Sequence, residues 1–361
     1  MSGVKVGIIG AGGMATYHYD GFVLAGADVV AIADADTKRA GDFAKSKDIA
    51  GVYAGLPEML QAHPDIDAIS VITPNKYHKP LAIEALKAGK HVYCEKPPAL
   101  NAAETKEILD AAEQAKKCLM FAFNNRARPE SRAMIRYIRD GKIGKINSAQ
   151  AYWIRRNGIP GFGGWFTTKA LSGGGPVIDL LHMLDLALYF LGYPEPDYLM
   201  AATYFDFMDN KAFKGPWGIP DAVGGITDVE STCHAMLTFK TGQCLLIRSS
   251  WAEMNEREAV SVTFQGSKSG GKVERLFEIY GKDDTSVDNC YLYTEEYGNQ
   301  VDLKIHVEKD ESMGRIGAAA NFIDSINGKA EALSNPREAF LLMKIIDAIY
   351  ESAATKKPVQ I

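Results

Sequence analysis

The first 124 residues alternate between short apolar runs and longer helical stretches. The runs are rich in Val, Ile, Ala and Tyr without period-2 alternation, which is typical of strands buried on both faces of a parallel sheet. They lie at 4–10, 29–34, 51–54, 68–73, 91–95 and 118–124, and the stretches between them predict helices at 14–25, 36–46, 57–62, 76–88 and 102–116. This order predicts an α/β fold with a doubly wound parallel sheet.

The predicted helix ends carry recognisable signals. Gly26 and Gly89 directly follow two of the helices, where glycine commonly adopts the left-handed conformation that ends a helix. Asn101 precedes another helix with Glu104 three residues later, which is a capping-box spacing. Asp36 is predicted to be an N-cap.

After residue 124 the pattern changes to α+β. Thr241-Gly242 predicts a hairpin turn, and strands that alternate with turn signals indicate a mostly antiparallel sheet. Strands are predicted at 146–155, 227–240, 243–251, 260–265, 277–281, 290–294 and 301–307, and helices at 129–140, 177–191, 317–327 and 336–355. We therefore expect one domain at 1–124 and a second at 125–361, with the last helix packing back on the first domain.

Composition excludes several classes of protein. The net charge of −5 gives no basic excess for nucleic acid, and no apolar run approaches the length of a membrane-spanning helix. The first strand begins so near Met1 that we expect no leader peptide. Five scattered cysteines without Cys-x-x-Cys spacing predict free thiols in the cytoplasm and no metal site.

A glycine-rich turn follows the first strand. In Gly10-x-Gly12-x-x-Ala15, the first glycine permits the turn, the second lets a pyrophosphate approach the backbone, and the small Ala15 allows close helix packing. We predict that Gly10, Gly12, Gly13 and Met14 bind a dinucleotide.

Asp34 ends the second strand near the offset expected for a residue that binds the adenosine ribose. Its carboxylate can accept both ribose hydroxyls and would repel a 2′-phosphate, so NAD is favoured. Lys38 and Arg39 follow closely and can reach a 2′-phosphate, so NADP stays an alternative.

Further polar residues follow the other strands of this sheet. Because parallel strands bring their carboxyl ends to one edge, we expect these residues to gather there with the glycine turn. Lys96 is the pivotal one, since an amine at such an edge indicates carbonyl or alcohol redox chemistry, although a surface Glu95–Lys96 pair is the alternative. His78 is either a cofactor contact or a surface histidine. The predicted cofactor residues here are Thr73, Pro74, Asn75, His78, Glu95, Lys96 and Asn124.

Asp179 and His182 lie three residues apart in the apolar helix predicted at 177–191. Residues at that spacing share a helix face, and a His–carboxylate pair is a common general-base arrangement. A first-turn cap and a core histidine are the alternative interpretation.

In this order, the motifs resemble those of the Gfo/Idh/MocA oxidoreductase family over nearly the whole chain. The similarity extends to Asn125-Arg126, 173–182, Ser249-Ser250-Trp251-Ala252 and Tyr350-Glu351-Ser352-Ala353. It implies a Rossmann domain, an open and mostly antiparallel sheet that binds substrate, and a homodimer or homotetramer formed through the sheet face. It also maps the family's catalytic lysine, aspartate and histidine onto Lys96, Asp179 and His182. The family spaces the last two as D-x-x-x-H, whereas this chain has D-x-x-H.

The resulting hypothesis is an NAD(P)-dependent oxidoreductase acting on a sugar, a polyol or a related hydroxylated compound. His182 would accept the hydroxyl proton, Lys96 would stabilise the reacting oxygen, and Asp179 would orient His182. Arg155 and Arg156 also allow an acidic or phosphorylated substrate. Predicted substrate contacts are Arg126, Tyr152, Arg155, Trp165, Lys169 and Asp179, with Trp153, Arg156 and Thr168 nearby. An NAD-dependent glycosidase working by transient oxidation and a non-catalytic NAD-binding regulator are the alternatives.

Overall fold

Two units divide the chain in the structure, a computed structural model that describes residues 3–277 and 286–361. Unit 1 comprises Met1–Ala127 with Glu311–Met343, and unit 2 comprises Arg128–Asp310 with Lys344–Ile361. A domain boundary at residue 124 stays a prediction, because compactness alone does not test independent folding.

Unit 1 is built on a six-stranded parallel sheet with the strand order β3-β2-β1-β4-β5-β6. That order is the doubly wound arrangement, in which the order reverses beside β1. The strands are β1 Lys5–Ile9, β2 Asp28–Ala33, β3 Gly51–Tyr53, β4 Ala68–Val71, β5 His91–Cys94 and β6 Leu119–Phe121. The helices are α1 Ala15–Leu24, α2 Thr37–Lys47, α3 Leu56–Ala62, α4 His78–Lys87 and α5 Ala102–Ala115, with α10 Arg315–Ile326 added from late in the chain. The predicted parallel α/β fold is confirmed.

The predicted helix signals operate as expected. Asn101 accepts a hydrogen bond from the Glu104 backbone N–H at 2.9 Å, and the Asp36 side chain accepts one from the N–H of Arg39 at 3.1 Å. Gly26 and Gly89 have φ of +80° and +74°. Late in the chain, Phe322 of α10 stacks on Tyr93 of β5 at 5.3 Å, so α10 completes the core of unit 1.

Unit 2 is built on a nine-stranded sheet with the order β14-β13-β12-β11-β7-β10-β9-β8-β15. The β7–β10 pairing is parallel, and the other pairings described in this sheet are antiparallel. The strands are β7 Ile146–Ile154, β8 Pro196–Tyr204, β9 Thr232–Phe239, β10 Cys244–Ser250, β11 Ala259–Gly266, β12 Gly270–Phe277, β13 Ser286–Glu296, β14 Asn299–Lys304 and β15 Val359–Gln360. The helices are α6 Pro129–Arg139, α7 Lys169–Ser172, α8 Pro176–Asp179 and α9 Leu181–Leu191, and α11 Pro336–Thr355 contributes residues to both units.

One helix predicted in unit 2 needs correction, and some strands were missed. The single helix predicted at 177–191 is two helices, because the backbone leaves helical geometry at Leu180 (φ −96°, ψ 19°). Strands β8 and most of β12 were not expected. Of the strand predicted at 277–281, residues 278–281 lie outside the described residues.

The segments on either side of Leu180 are bent by 53°. Within residues 3–277 and 286–361, no single helix is both long and apolar enough to cross a membrane, and Lys169–Asp179 with Leu181–Leu191 is one bent pair that meets those criteria jointly.

Candidate functional site

The glycine turn of unit 1 exposes its backbone. Gly10 has a φ of +102°, and a Cβ atom there would lie 2.5 Å from the carbonyl oxygen of Ile72, so a side chain is excluded. At Gly12 and Gly13 a Cβ atom would meet nothing within 4 Å. Ala15, which is fully buried, then starts α1. An unobstructed backbone at a helix N-terminus has the features that bind a pyrophosphate.

Asp34 follows β2 next to this turn. Its Oδ2 accepts the backbone N–H of Ala11 at 2.7 Å, and its Oδ1 accepts that of Asp36 at 2.8 Å. The guanidinium of Arg39 donates to both carboxylate oxygens at 2.7 and 2.9 Å. Burial alone would raise the pKa of Asp34, but the bonds from Arg39 and the two N–H groups outweigh it and lower the pKa. Asp34 is therefore ionised and already paired with Arg39.

His78 is buried, which rules out the surface interpretation. Its ring nitrogens lie 2.7 Å from the carbonyl oxygen of Pro97 and 2.8 Å from that of Thr73. Burial lowers the pKa of His78, although both carbonyls favour its protonated form. His78 thus joins the segments that follow β4 and β5. Thr73 Oγ1 is buried and has no hydrogen-bond partner among the described residues, as expected of a group kept for a ligand.

Lys96 is half-buried. The residue before it, Glu95, forms a buried pair with His18 that the sequence did not reveal. Oε1 of Glu95 lies 3.0 Å from Nε2 of His18, and Oε2 accepts the backbone N–H of Lys96 at 3.0 Å. Nδ1 of His18 lies 2.8 Å from Oγ of Ser70. Burial would raise the pKa of Glu95, but His18 and Lys96 outweigh it and lower the pKa. His18 could have been suspected only as a lone histidine on an otherwise apolar helix face.

Two predicted ligand residues serve the interior of unit 1 instead. Arg126 is only 1% exposed, donates to the carbonyl oxygen of Leu333 at 3.0 Å and forms an ion pair with Glu338. This burial contradicts the prediction that Arg126 binds substrate. Asn124, predicted to contact the cofactor, donates its side-chain amide to the carbonyl oxygen of Met313 at 2.6 Å.

Asp179, in unit 2, contacts two side chains that the sequence did not associate with it. The indole Nε1 of Trp251 donates to its Oδ2 at 3.0 Å, and Nη1 of Arg155 lies 3.8 Å from the same oxygen. Arg155 Nε also donates to Glu258 at 3.2 Å. Because the helix bends after Asp179, the assumption that Asp179 and His182 share one face of a continuous helix is wrong.

His182 is 8% exposed, and its ring lies 5.8 Å from that of Trp153. Successive side chains of a strand point to opposite faces, so Tyr152 lies on the other face, where its hydroxyl donates to Gln150 at 2.7 Å. The predicted substrate contact at Tyr152 is therefore contradicted, and Trp153 is the strand residue beside His182.

Glu230 is a buried carboxyl that the sequence analysis missed. It accepts the backbone N–H groups of Gly175 at 3.1 Å and Val177 at 3.2 Å, and the hydroxyl of Tyr350 at 3.0 Å. It therefore caps α8, the helix that carries Asp179. Burial raises the pKa of Glu230. Lys169, a predicted substrate residue, is exposed and places its ammonium 4.9 Å from the centre of the Tyr350 ring.

These residues fit a dinucleotide better than a metal ion. The open glycine backbone, the ionised Asp34 and the unpartnered Thr73 hydroxyl all follow carboxyl ends of parallel strands in unit 1. Such edges bind nucleotides. Among the described residues, no group of three or more His, Cys, Asp or Glu could hold a metal ion.

Comparison with known proteins agrees with this chemistry. A family model described as an oxidoreductase family with an NAD-binding Rossmann fold matches residues 4–123, and one for the C-terminal alpha/beta domain of an oxidoreductase family matches 135–361. D-glucoside 3-dehydrogenase of Escherichia coli (strain K12) is 30% identical over 365 residues, which span 100% of this chain and 98% of that protein. Inositol 2-dehydrogenase of Rhizobium meliloti (strain 1021) is 26% identical over 99% of each chain. A levoglucosan dehydrogenase solved in complex with NADH superposes with a TM-score of 0.84 over 99% of each chain at 21% identity.

Proposed function

Because the chain belongs to the Gfo/Idh/MocA family of NAD-binding oxidoreductases, we propose that it oxidises a secondary hydroxyl group of a sugar or polyol. The relatives of similar length support this substrate class, since one is a glucoside dehydrogenase and another an inositol dehydrogenase. Bound nicotinamide supplies the hydride acceptor for this chemistry.

The observation that carries the proposal is the position of Lys96. Backbone bonds from Gly10 to Ala33 at 2.8 Å, from Ile72 to Ile9 at 2.7 Å and from Glu95 to Val71 at 2.9 Å align the ends of β1, β2, β4 and β5. Lys96 therefore follows the same sheet edge as the glycine turn. A protein that bound a nucleotide without catalysing a reaction would have no need of an amine at this sheet edge.

Each proposed catalytic residue has one task. Lys96 donates a hydrogen bond to the reacting oxygen and stabilises the negative charge that develops on it. The His182 imidazole accepts the hydroxyl proton. Asp179 contacts Arg155 and Trp251 and contributes a fixed negative charge in unit 2.

NAD is the proposed cofactor. The ionised Asp34 is an acceptor for the adenosine ribose hydroxyls and disfavours a 2′-phosphate. Arg39 offsets part of that charge, so NADP is expected to bind more weakly and still support turnover.

The test is a screen of glucosides, free hexoses, inositols and polyols with NAD and with NADP, following absorbance of the reduced cofactor. On any substrate found, His182→Ala is expected to lower kcat by about 10²–10⁴-fold, and Lys96→Ala by about 10²–10³-fold. NAD affinity should change little in the first variant.

Matched controls are His306→Ala and Lys142→Ala, because both side chains are exposed and outside the proposed machinery. If both active-site variants keep the turnover of these controls, the catalytic assignment is wrong. If no carbohydrate or polyol reduces either cofactor, the proposed substrate class is wrong.

We also propose that the protein acts in the cytoplasm as a homodimer or homotetramer. All five cysteines are free thiols, which suits a reducing compartment. Self-association through the uncovered face of the nine-stranded sheet is supported by a row of exposed apolar side chains, Met200, Met236 and Leu246, which are paired in register across β8, β9 and β10.

A further inference from the structure

A row of flat side chains leads away from His182 within unit 2. The Trp153 ring lies 5.8 Å from the imidazole, and the Arg155 guanidinium carbon lies 5.2 Å from the Trp153 ring. The same carbon lies 4.2 Å from the ring of Trp217, so Arg155 is stacked between two indoles.

Beyond Arg155 the row continues as an aromatic group. Phe166 meets the Trp217 ring edge-on at 6.0 Å, and Trp165 stacks on Phe166 at 3.8 Å. All three rings are partly exposed, with Trp165 and Phe166 on a short 3-10 helix and Trp217 in a loop. A sugar ring reacting at His182 would be adjacent to Trp153, so it does not account for a second aromatic group on the far side of Arg155. We call Trp165, Phe166 and Trp217 the outer aromatic group.

The loops that carry this group are fixed to each other. Backbone N–H groups of Ile219, Ala222 and Asp228 donate to carbonyl oxygens of Pro160, Phe162 and Thr167 at 3.0, 2.8 and 3.0 Å. A Cβ atom on Gly225 would lie 2.0 Å from the carbonyl oxygen of Gly163, so only glycine allows this approach. Two loops joined in this way present their aromatic rings without the entropy cost of ordering them on binding.

The charges of this region favour a neutral ligand. Arg155 is 9% exposed, donates to Glu258 at 3.2 Å and lies 3.8 Å from Asp179. The carboxylates of Glu258 and Asp179 already offset the positive charge of Arg155. An anionic substrate would therefore gain little from Arg155 and would be repelled by both carboxylates. At Arg155, this geometry argues against the acidic or phosphorylated substrate that the sequence left open.

We propose that the outer aromatic group is a subsite for a second ring attached to the reacting sugar. The preferred substrates are then neutral glycosides that carry a sugar or aryl ring as aglycone, in preference to free monosaccharides or inositols. Apolar C–H faces of such rings pack on aromatic faces. This inference rests on the proposed function, because it takes His182 as the reacting end.

The test compares kcat/KM with NAD for cellobiose and methyl β-D-glucoside. We expect the wild-type protein to favour cellobiose, and Trp217→Ala to lower the ratio of the two values about 5- to 10-fold, the size of one aromatic contact. Trp217→Phe should retain most of the ratio. Tyr297→Ala, which removes a fully exposed aromatic ring on the β13–β14 hairpin, is the control, and equal thermal unfolding midpoints show that each variant is folded.

An unchanged ratio in Trp217→Ala overturns the subsite, as does a wild-type preference for the methyl glucoside. If Trp217→Ala does not fold, Trp165→Leu replaces it with the same expected direction. Calorimetric titration of cellobiose separates this inference from the proposed function. If no sugar is oxidised, the proposed function is wrong. In that case the subsite is supported only if cellobiose binds the wild-type protein and binds Trp217→Ala more weakly.

Discussion

His18 and Glu95 form a buried pair whose carboxylate also holds the peptide N–H of Lys96. His18→Leu would leave a buried carboxylate without its partner, at a cost of about 2 kcal/mol in the free energy of unfolding. We expect kcat to fall about tenfold, because Lys96 loses its fixed position, with a smaller change in the KM for NAD. His18→Gln keeps a side-chain donor and should recover part of both losses. Urea denaturation and steady-state kinetics measure them.

The control for that substitution is His63→Leu. His63 lies in the same unit, hydrogen-bonded to the hydroxyl of Tyr53 at 2.9 Å and remote in sequence from Lys96. It should lose some stability while keeping kcat. Equal kcat in the His18 and His63 variants would mean that His18 is only a packing residue.

We expect Asp34 to set the preference for NAD over NADP. Asp34→Ser removes a carboxylate that is worth roughly 1–4 kcal/mol of repulsion against a 2′-phosphate at contact distance. It also releases Arg39 for that phosphate. The ratio of kcat/KM for NADP to that for NAD should rise about 10- to 100-fold. Asp36→Ser is the matched control, because serine preserves the N-cap of α2; an equal rise there would contradict the assignment.

Residue types and spacing predicted the glycine turn and the edge position of Lys96, because both follow from the order of strands and helices. Residue types and spacing gave the wrong role where the role of a residue depends on the direction in which its side chain points. Tyr152 and Trp153 are adjacent in sequence, and only strand register shows which one faces His182. Arg126 was assigned from its charge, yet Glu338, 212 residues later, neutralises it in the interior. Contacts over such sequence separations leave no local signal.

At the scale of elements, the continuous helix expected from the apolar run at 177–191 is interrupted at Leu180. The apolar pattern of a sequence reflects which residues are buried and not whether a helix is continuous. Because both α8 and α9 are largely buried, the hydrophobic pattern continues across the break. Next to the break, α8 has tertiary partners of its own, namely Glu230 at its start and Trp251 at Asp179. The shortened Asp179–His182 spacing lies across this break.

Glu230 gives α8 a pH-dependent cap. Burial raises its pKa above the ordinary value of 4.5, although the N–H groups of Val177 and Gly175 and the hydroxyl of Tyr350 act in the opposite direction. A raised folded-state pKa means that the folded protein holds this proton more tightly than the unfolded chain. The stabilisation is therefore complete below pH 4.5 and is lost as the pH rises through the folded-state pKa.

The free energy of unfolding of the wild-type protein, relative to Glu230→Gln, should therefore decrease from pH 4.5 upward and level off above the folded-state pKa. Glutamine keeps an acceptor for the helix N–H groups and does not titrate. Urea denaturation of both proteins between about pH 4.5 and 8 measures the difference. Glu351→Gln, at an exposed position of α11, should show no such trend. A difference that does not vary with pH would show that Glu230 titrates normally.

At the scale of the whole molecule, one face of the unit 2 sheet carries exposed apolar side chains on neighbouring strands. Met200, Met236 and Leu246 are 45%, 48% and 37% exposed, and Tyr198 and Tyr204 of β8 are 49% and 48% exposed. Monomeric proteins seldom leave a contiguous patch of this kind uncovered. The family resemblance implied association through the sheet face, but a single sequence does not reveal which face stays uncovered.

We expect Met236→Asp to lower the mass of the oligomer in solution, because it places a charge at the centre of this row, where burial would leave it unpaired. Size-exclusion chromatography with light scattering measures the mass of both proteins. Met254→Asp is the matched control, since Met254 is 79% exposed but lies in the loop after β10. A monomeric wild-type protein, or a Met236→Asp variant of unchanged mass, would exclude assembly through this face.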